Sequence, residues 1–438
     1  MSTAIALAEP PSPPAPTLAP PPIAWSAARR FAFRFLFAYV ALYSFSLASN
    51  SEFGWDWLTL NKLWHALIPW LGKHVLHLPK AIDNFTNGSG DTLYDWLLDG
   101  FWACTALVAA MVWSVVDRRR TQYERLHAVL RLWVRYALAY QMLSYGFAKV
   151  FKLQFPLPAP SRLAETYGES SPMGILWAFM GVSTAYTVFG GLSEVLGGLL
   201  LLFRRTTTLG ALVVMAVMTN VVMLNFCYDV PVKLLSSHLL LLGVWLLLPD
   251  AKRLVDVLIL HRPTTPSLKL WRPASTRGVW ARRIVKYGLL AFLGFQFIHG
   301  SIKAMKSYGD HAPKPKEFGA YEVEQFIRRG KLVEQRLDDP KRWRFVAIGL
   351  HGGAVRLVDG TLQQLGEAKD GQIEQWTDDP AHHFMSFAMP DAGHIVLSGK
   401  FVPFDNDEVK VTLKKIDETK LPLLSRGFHL VNEFPFNR

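Results

Sequence analysis

A single glutamate lies in the middle of an otherwise apolar stretch of this sequence. Glu194 has Gly190 four residues before it and Gly198 four residues after it, so a helix would carry all three on one smooth face that another helix can approach closely. An ionisable side chain at bilayer depth is costly and is by default a functional candidate. The partner we predict is Lys149, near the outer end of an earlier apolar stretch, which either meets Glu194 or extends toward the interface.

Two interpretations of Glu194 stay open. In the first, it carries a proton or orients a ligand, and its apolar surroundings favour the protonated form unless Lys149 or Arg135 compensates the charge. In the second, it forms an ion pair with one of these cations and ties two helices together. The residue types allow both, because membrane proteins use buried polar groups as sites and as packing contacts.

Further polar side chains occur at comparable or shallower depth in neighbouring apolar stretches. Together they are sufficient for a polar pocket near the outer half of a helical bundle. As candidate ligand contacts in this pocket we name Asn220, Tyr145, Gln141 and His238. Each of them could instead hydrogen-bond to a neighbouring helix, because polar side chains commonly bridge helices within membranes.

The histidines suggest two further kinds of site, and neither is supported by spacing. His238 and His299 could ligate a haem, but nothing fixes them on opposite faces of a porphyrin. His74 and His77 are one helical turn apart without a cluster of carboxylates or thiols, and His382-His383 would point to opposite faces of a strand. We therefore predict no metal site and no haem.

Composition excludes several classes of protein. The chain has 438 residues, of which 50% are hydrophobic and 19% are charged, with a formal net charge of +12. These values exclude disordered, collagen-like and disulfide-scaffold classes. Two cysteines, Cys104 and Cys227, are too few for an iron–sulfur cluster. The sequence lacks G-x-S-x-G, Walker, H-E-x-x-H and strand-linked G-x-G-x-x-G motifs, so hydrolase, nucleotide-driven and nicotinamide chemistry have no signature.

Apolar runs long enough to cross a bilayer recur through the first 300 residues and then stop. They predict an α-helical polytopic membrane bundle of about seven spans within residues 25–300, and they exclude a purely soluble enzyme. The predicted spans are Phe31–Ala48, Tyr94–Val116, Leu132–Phe151, Ser183–Phe203, Leu209–Cys227, Leu234–Leu248 and Val285–His299.

Arginine and lysine residues concentrate at alternate ends of these spans, which explains the positive charge better than nucleic-acid binding does. The cationic side includes Arg29, Arg118–Arg120, Arg204 and Lys252. By the positive-inside rule the amino terminus is cytoplasmic, and seven spans then leave the tail after His299 extracytoplasmic. We predict no nucleic-acid partner.

Two segments outside the spans have signatures of their own. Residues 1–24 are rich in proline and small residues, which predicts a disordered tail rather than a cleaved signal peptide. Between the first two spans, Leu58–Leu78 interleaves apolar positions with histidine and lysine. This pattern is typical of a helix that lies at the membrane interface.

From Tyr321 the apolar pattern changes to a period of two, which predicts strands. The strands expected are 344–348, 355–358, 383–388, 394–397 and 409–413. Turn signals such as Asp359-Gly360 and Asp370-Gly371 separate them at the spacing of an antiparallel meander. Residues 316–438 are therefore predicted to form a small antiparallel β-barrel, because closure removes exposed strand edges. The final segment, 425–438, is expected to plug the barrel or to line its mouth.

Two segments of the sequence resemble the pattern of the DoxX family of small polytopic membrane proteins. They are Tyr145-Gly-Phe-Ala-Lys149 and Gly190-Gly-Leu-Ser-Glu194-Val-Leu-Gly-Gly198. In that pattern a Gly…Lys ends one helix and a Gly-x-x-Glu lies inside the next, and the resemblance covers roughly residues 130–250. It implies a membrane partner of quinone-linked oxidation or of a thiol-redox system. A more distant similarity to the membrane part of vitamin-K-dependent carboxylases implies that a lysine, here Lys149, takes part in chemistry on a quinol.

Two functional hypotheses follow. In the first, a DoxX-like protein of the bacterial inner membrane binds a quinone or another isoprenoid lipid beside a redox partner protein, with Glu194 exchanging a proton and Lys149 stabilising negative charge. In the second, the protein is a non-catalytic scaffold or lipid-binding protein whose β domain recognises an envelope partner. A transporter would need two matching halves with broken helices, and the sequence shows no such symmetry.

Overall fold

The computed structural model describes residues 24–49, 61–82, 88–264, 275–334, 339–376, 382–402 and 407–435. Almost all of the predicted disordered tail and the first residues of the predicted interfacial segment lie outside this described part. The chain divides into two compact units. The first unit comprises residues 1–84 and 93–131, and the second comprises residues 85–92 and 132–438.

Helices dominate the chain before residue 305. Among the described residues they are α1 (Ala27–Ser49), α2 (Asn61–His74), α3 (Leu93–Val116), α4 (Glu124–Val150), α5 (Pro160–Leu163), α6 (Pro172–Val182), α7 (Thr184–Leu202), α8 (Thr207–Cys227), α9 (Lys233–Leu247), α10 (Ala251–Leu258) and α11 (Thr276–Ala304). A short helix, α12 (Pro422–Ser425), follows the strands. Each predicted span overlaps one of these helices, and α2 occupies most of the predicted interfacial segment.

Four helical segments of the described chain are long and apolar enough to cross a membrane. They are Leu93–Val116, Thr184–Leu202, Arg204–Cys227 and Lys233–Leu258. The protein is therefore membrane-associated. The predicted number of seven spans is not confirmed by length and composition, because α1, α4 and α11 carry arginine and lysine residues that reduce their apolar character.

The first unit packs α1, α2 and α3 around aromatic side chains. Its buried cluster contains Tyr43, Ile68, Tyr94, Leu98 and Trp102. Trp102 meets Tyr43 edge-to-face, with ring centroids 6.1 Å apart. Aromatic pairs of this geometry add stabilisation beyond the area that they bury.

A buried arginine joins α1 to the end of α3 within the same unit. The Nε and Nη2 atoms of Arg34 donate to the hydroxyl oxygen of Tyr123 at 2.9 and 2.8 Å. Its Nη1 atom donates to Ser114 Oγ at 2.7 Å. The Tyr123 hydroxyl in turn donates to Asp117 Oδ2 at 2.9 Å, so the buried cation and the carboxylate share one network.

The second unit contains the strands, and they form one antiparallel sheet. The strands are β1 (Gly319–Arg328), β2 (Lys331–Leu332), β3 (Trp343–Ile348), β4 (Gly353–Leu357), β5 (Leu362–Lys369), β6 (Gln372–Gln375), β7 (His383–Asp391), β8 (His394–Phe401) and β9 (Asp407–Lys415). Apart from β2, which extends β1 as a short hairpin, neighbours in sequence pair in order, and β9 pairs back with β1. The predicted β-barrel is therefore confirmed as a closed barrel of eight strands.

The strands fill the barrel with their own side chains. Alternate residues point inward, as in β9, where Val409, Val411 and Leu413 are buried. Trp343 and Phe401 are fully buried in the same core, with ring centroids 4.8 Å apart. The expectation that the final segment plugs the barrel is wrong, because this interior is already occupied and Phe428 in that segment is 87% exposed.

One predicted turn has the backbone that a tight hairpin requires. Asp370 and Gly371 join β5 to β6, and both have positive φ angles, 52° and 74°. Asp-Gly is the favoured sequence for such a turn, because glycine adopts a positive φ without steric cost and aspartate tolerates it. The local sequence thus sets the register of this hairpin.

Candidate functional site

Helices α4 and α7 approach each other in backbone contact. A Cβ atom on Gly191 would lie 2.7 Å from the carbonyl oxygen of Gly146 and 2.8 Å from Lys149 Cβ. A Cβ atom on Gly146 would lie 2.9 Å from the carbonyl oxygen of Gly191. Such distances are too short for any side chain, so glycine at both positions permits this crossing.

The glycine face of α7 differs from the predicted one. Gly198 does face α4, since an added Cβ would lie 3.1 Å from the carbonyl oxygen of Ala139. Gly190 does not, because its nearest neighbour is the flexible end of Met180 at 4.0 Å. With 3.6 residues per turn, Gly191 and Gly198 lie within about 20° of each other around the helix, whereas Gly190 is rotated by about 100° from Gly191. The prediction of Gly190 on the contact face was therefore wrong by one residue.

The structure brings the two predicted catalytic side chains together at this crossing. Lys149 Nζ lies 2.8 Å from both Oε1 and Oε2 of Glu194. The two side chains are 10% and 4% exposed, respectively. Both carboxylate oxygens accept from the ammonium group, so each charge has its counterion within a buried pair.

Aromatic rings lie beside the ammonium group. Lys149 Nζ lies 5.8 Å from the ring centroid of Tyr145 and 6.0 Å from that of Phe155. An ammonium group has three N–H donors and attracts aromatic faces. The Lys149–Glu194 pair is thus bordered by two aromatic faces, one of which, Tyr145, was predicted as a ligand contact.

The other predicted ligand contacts take different positions. Gln141 is half-buried, two helical turns before Lys149 on α4. Asn220 is exposed on α8. The Nδ1 atom of His238 is 2.8 Å from the carbonyl oxygen of Leu234 in its own helix. The structure thus shows a compact ion pair with aromatic neighbours at the predicted site, and the ligand contacts of Gln141, Asn220 and His238 stay predictions.

Arg135 was the alternative partner for Glu194, and the structure places it elsewhere. It lies fourteen residues before Lys149 on α4, which corresponds to about 21 Å along the helix. Its Nη1 atom approaches Thr207 Oγ1 at 3.4 Å. Lys149 alone of these two cations pairs with Glu194.

Sequence reasoning missed a second buried lysine near the site. Lys152 is 5% exposed, and its ammonium group donates to the carbonyl oxygen of Gly181 and lies 3.5 Å from Asp310 Oδ2. Asp310 Oδ1 accepts from the backbone N–H of Leu157 at 2.6 Å. The available signal was a lysine three residues after Lys149, directly after the end of a predicted span.

Ion pairs join the loop after α4 to the barrel within the second unit. Arg356 on β4 lies 3.3 Å from Glu165 and 3.6 Å from Glu169, and Arg344 on β3 lies 3.3 Å from Glu169. The pKa of Glu169 lies below its usual value, because the Thr166 hydroxyl and then these arginines favour the ionised form. The loop that follows Lys149 is therefore attached to the barrel.

Metal ligation finds no support among the residues with a described position. No group of three or more histidine, cysteine, aspartate or glutamate side chains lies close enough together there to hold a metal ion.

The helices and the closed barrel define a membrane-associated protein with a C-terminal eight-stranded β-barrel. Over 139 residues, the chain is 33% identical to the uncharacterized protein YwoB of Bacillus subtilis strain 168, an alignment that covers 32% of this chain and 86% of the relative. The chain therefore belongs to the same family as YwoB. No protein-family model matches the chain, and no solved structure matches it.

Proposed function

We propose that the protein is a DoxX-like, multi-pass component of the bacterial inner membrane that binds a quinone or another isoprenoid lipid beside the Lys149–Glu194 pair and works with a redox partner protein. The observation that carries this proposal is the buried ion pair bordered by Tyr145 and Phe155. Apolar residues of similar volume are often as stabilising as a buried ion pair. A buried pair beside aromatic faces therefore favours a functional role.

Contacts between helix ends support the seven-span topology. Two segments that touch at a membrane surface lie on the same side, so an even number of crossings separates them along the chain. Trp25 N donates to the carbonyl oxygen of Thr121 at 3.0 Å. The helices between them are α1, the short α2 and the apolar α3. Because α3 can cross and α2 has too few residues, this contact favours a crossing by α1.

The same reasoning applies to α4 and α11. Gly90 N donates to the carbonyl oxygen of Pro231 at 2.8 Å, and three apolar helices, α3, α7 and α8, lie between them. An even count then favours a crossing by α4. Lys152 and Asp310 are 3.5 Å apart with α7, α8 and α9 between them, which favours a crossing by α11. With the cationic ends in the cytoplasm, this topology puts the barrel outside.

The residues present fit a flat, oxygen-bearing headgroup. Lys149 has one N–H donor more than the two carboxylate oxygens that it contacts, and the ring faces of Tyr145 and Phe155 offer stacking. A bound quinone would supply two-electron redox chemistry, with electrons from the partner protein. Glu194 would hold and release a proton at its carboxylate, and Lys149 would stabilise negative charge on a bound oxygen.

The test is organic extraction and mass spectrometry of the protein purified in mild detergent. We expect a stoichiometric quinone or isoprenoid lipid from the wild type and a clear loss of it from K149Q and E194Q. K233Q is the matched control, since Lys233 pairs with Asp229, which is 86% exposed, and lies outside the site. Equal ligand occupancy in all four proteins, or phospholipid alone in the wild type, would contradict the proposal.

A second candidate function is a non-catalytic membrane scaffold whose barrel recognises an envelope partner. It is favoured by the completeness of the Lys149–Glu194 pair and by the backbone contact at Gly146 and Gly191, which leaves no space between the helices there. In that case E194Q lowers thermal stability and changes little else. Deleting residues 316–438 should then abolish recovery of the partner in a pull-down, and an unchanged set of partners would count against this candidate.

A further inference from the structure

Arg135 is a buried cation without a carboxylate partner. It is 8% exposed on α4, and its guanidinium carbon lies 4.9 Å from the ring centroid of Tyr136. Its Nη1 contact with Thr207 is long, at 3.4 Å, and its buried Nε atom has no hydrogen-bond acceptor. No carboxylate within the described ranges forms an ion pair with it. Such a charge is costly unless an anion from outside the chain compensates it.

The surroundings of Arg135 add positive charge. Thr207 Oγ1 donates to the carbonyl oxygen of Phe203 at 3.0 Å. From α11, Lys286 Nζ donates to the carbonyl oxygen of Leu202 at 2.8 Å. These carbonyls end α7, and the partial negative charge of a helix C-terminus offsets only part of the full positive charge of Arg135.

The turn between α7 and α8 carries two more cations, Arg204 and Arg205, and both are exposed. The neighbouring carboxylate, Asp250, accepts from Thr208 at 3.0 Å and pairs with Arg253 at 2.6 Å, so a single negative charge stands beside several arginines. The turn as a whole therefore keeps an excess of positive charge at one end of the helical bundle.

We infer that this turn is a phosphate-binding site, in which Arg135 contacts the anion from inside the bundle and Arg204 and Arg205 contact it from the surface, and that in the membrane the ligand is the headgroup of an anionic phospholipid. A guanidinium group matches phosphate geometry. Basic pockets between helices at the cationic face of a membrane protein suit such headgroups. The site is separate from the Lys149–Glu194 pair, about 21 Å away along α4.

The test compares wild type and R135Q in detergent with added phosphatidylglycerol, phosphatidylcholine or inorganic phosphate, by thermal unfolding and by native mass spectrometry. We expect phosphatidylglycerol to raise the melting temperature of the wild type and to bind about tenfold more weakly to R135Q, because a hydrogen-bonded charge is lost. R125Q is the matched control, since Arg125 is exposed on the same helix.

The double variant R204Q/R205Q keeps the interior intact and should also bind phosphatidylglycerol more weakly. Stabilisation by inorganic phosphate as well would support recognition of the phosphate group itself. Stabilisation by phosphate without any by phosphatidylglycerol would overturn the lipid assignment. Equal effects of phosphatidylglycerol and phosphatidylcholine, or wild-type binding by both R135Q and R204Q/R205Q, would overturn the inference.

Discussion

At the scale of single residues, Lys149 and Glu194 illustrate what a buried pair requires. They are 45 residues apart in the sequence and meet at 2.8 Å with both side chains almost fully buried. Removing one partner leaves the other charge buried without compensation, whereas replacing both by apolar groups removes the desolvation cost as well. Comparing the stability of the single and double variants therefore shows whether the fold needs the ion pair.

We predict that K149M lowers the free energy of unfolding by about 3–5 kcal/mol, because it leaves the Glu194 carboxylate buried and unpaired. The double variant K149M/E194L should lie within about 1 kcal/mol of the wild type or be more stable. Unfolding in detergent, followed by circular dichroism, measures both. A double variant as unstable as K149M would show that the charges themselves hold the helices together.

A second charged residue, Asp407, forms ion pairs where β9 closes the barrel against β1. Asp407 at the start of β9 accepts from Arg329 Nε at 2.6 Å and from Arg328 Nε at 2.7 Å on β1. The hydrogen bond from Arg329, followed by that from Arg328, holds the pKa of Asp407 below its ordinary value. A lowered folded-state pKa stabilises the fold above the unfolded-state pKa, which is about 3.9.

We therefore predict that D407N lowers the melting temperature at pH 7 and that its difference from the wild type shrinks as the pH falls below about 4. The sign follows because the wild type loses this contribution as Asp407 becomes protonated, whereas the variant never has it. Melting curves at pH 7 and at pH 3 measure the effect. D370N is the control, since Asp370 lies in an exposed turn, and a pH-independent difference for D407N would contradict the assignment.

At the scale of elements, the crossing of α4 and α7 depends on the identity of single glycines. Gly146 and Gly191 touch the opposing backbone, whereas the adjacent Gly190 has free space for a methyl group. Substitution of these two neighbouring glycines of α7 by alanine should therefore have different effects on the stability of the protein.

We predict that G191A lowers the free energy of unfolding by about 1–3 kcal/mol, because the new methyl group forces α4 and α7 apart. G190A should be neutral or slightly stabilising, since alanine favours a helix over glycine by up to about 1 kcal/mol. Thermal unfolding of both variants in the same detergent measures the difference. Equal destabilisation by the two substitutions would place the contact face elsewhere.

At the scale of the whole molecule, a membrane-associated helical region is followed by a closed β-barrel domain. The barrel belongs to the second compact unit, where Glu165 and Glu169 pair with Arg356. Lys152 and Asp310 add a buried ion pair between the end of α4 and the segment after α11. In the topology that we propose, the loop after α4 and the barrel therefore share one side of the membrane.

The proposed topology predicts opposite labelling of two single cysteines in a C104A/C227A background. D370C, in a barrel turn, should react with a membrane-impermeant maleimide in cells whose outer membrane has been permeabilised. R262C, in the exposed segment after α10, should react only after the inner membrane is opened. A gel shift measures the labelled fraction of each variant. Labelling of the two positions from the same side of the inner membrane would contradict seven crossings.

Features that depend on local periodicity could be predicted from the amino-acid sequence. Apolar runs predicted the helices, including all seven that overlap predicted spans, and the period of two predicted the barrel after Tyr321. The same local pattern identified Lys149 and Glu194, because an ionisable residue within an apolar helix is conspicuous without any partner being known. Such signals lie within one helix or strand and need no information from elsewhere in the chain.

Contacts between distant residues could be identified only in the folded structure. In the structure, Gly191 rather than Gly190 contacts α4, and Lys149 rather than Arg135 pairs with Glu194. The side chains of the strands, rather than the final segment, fill the barrel. Each choice depends on how a helix is rotated against its neighbours, or on how much volume the strands enclose. Those quantities are set by the packing of all contacting elements at once, so a rotation of about 100°, a single residue along a helix, is enough to exchange one contact for another.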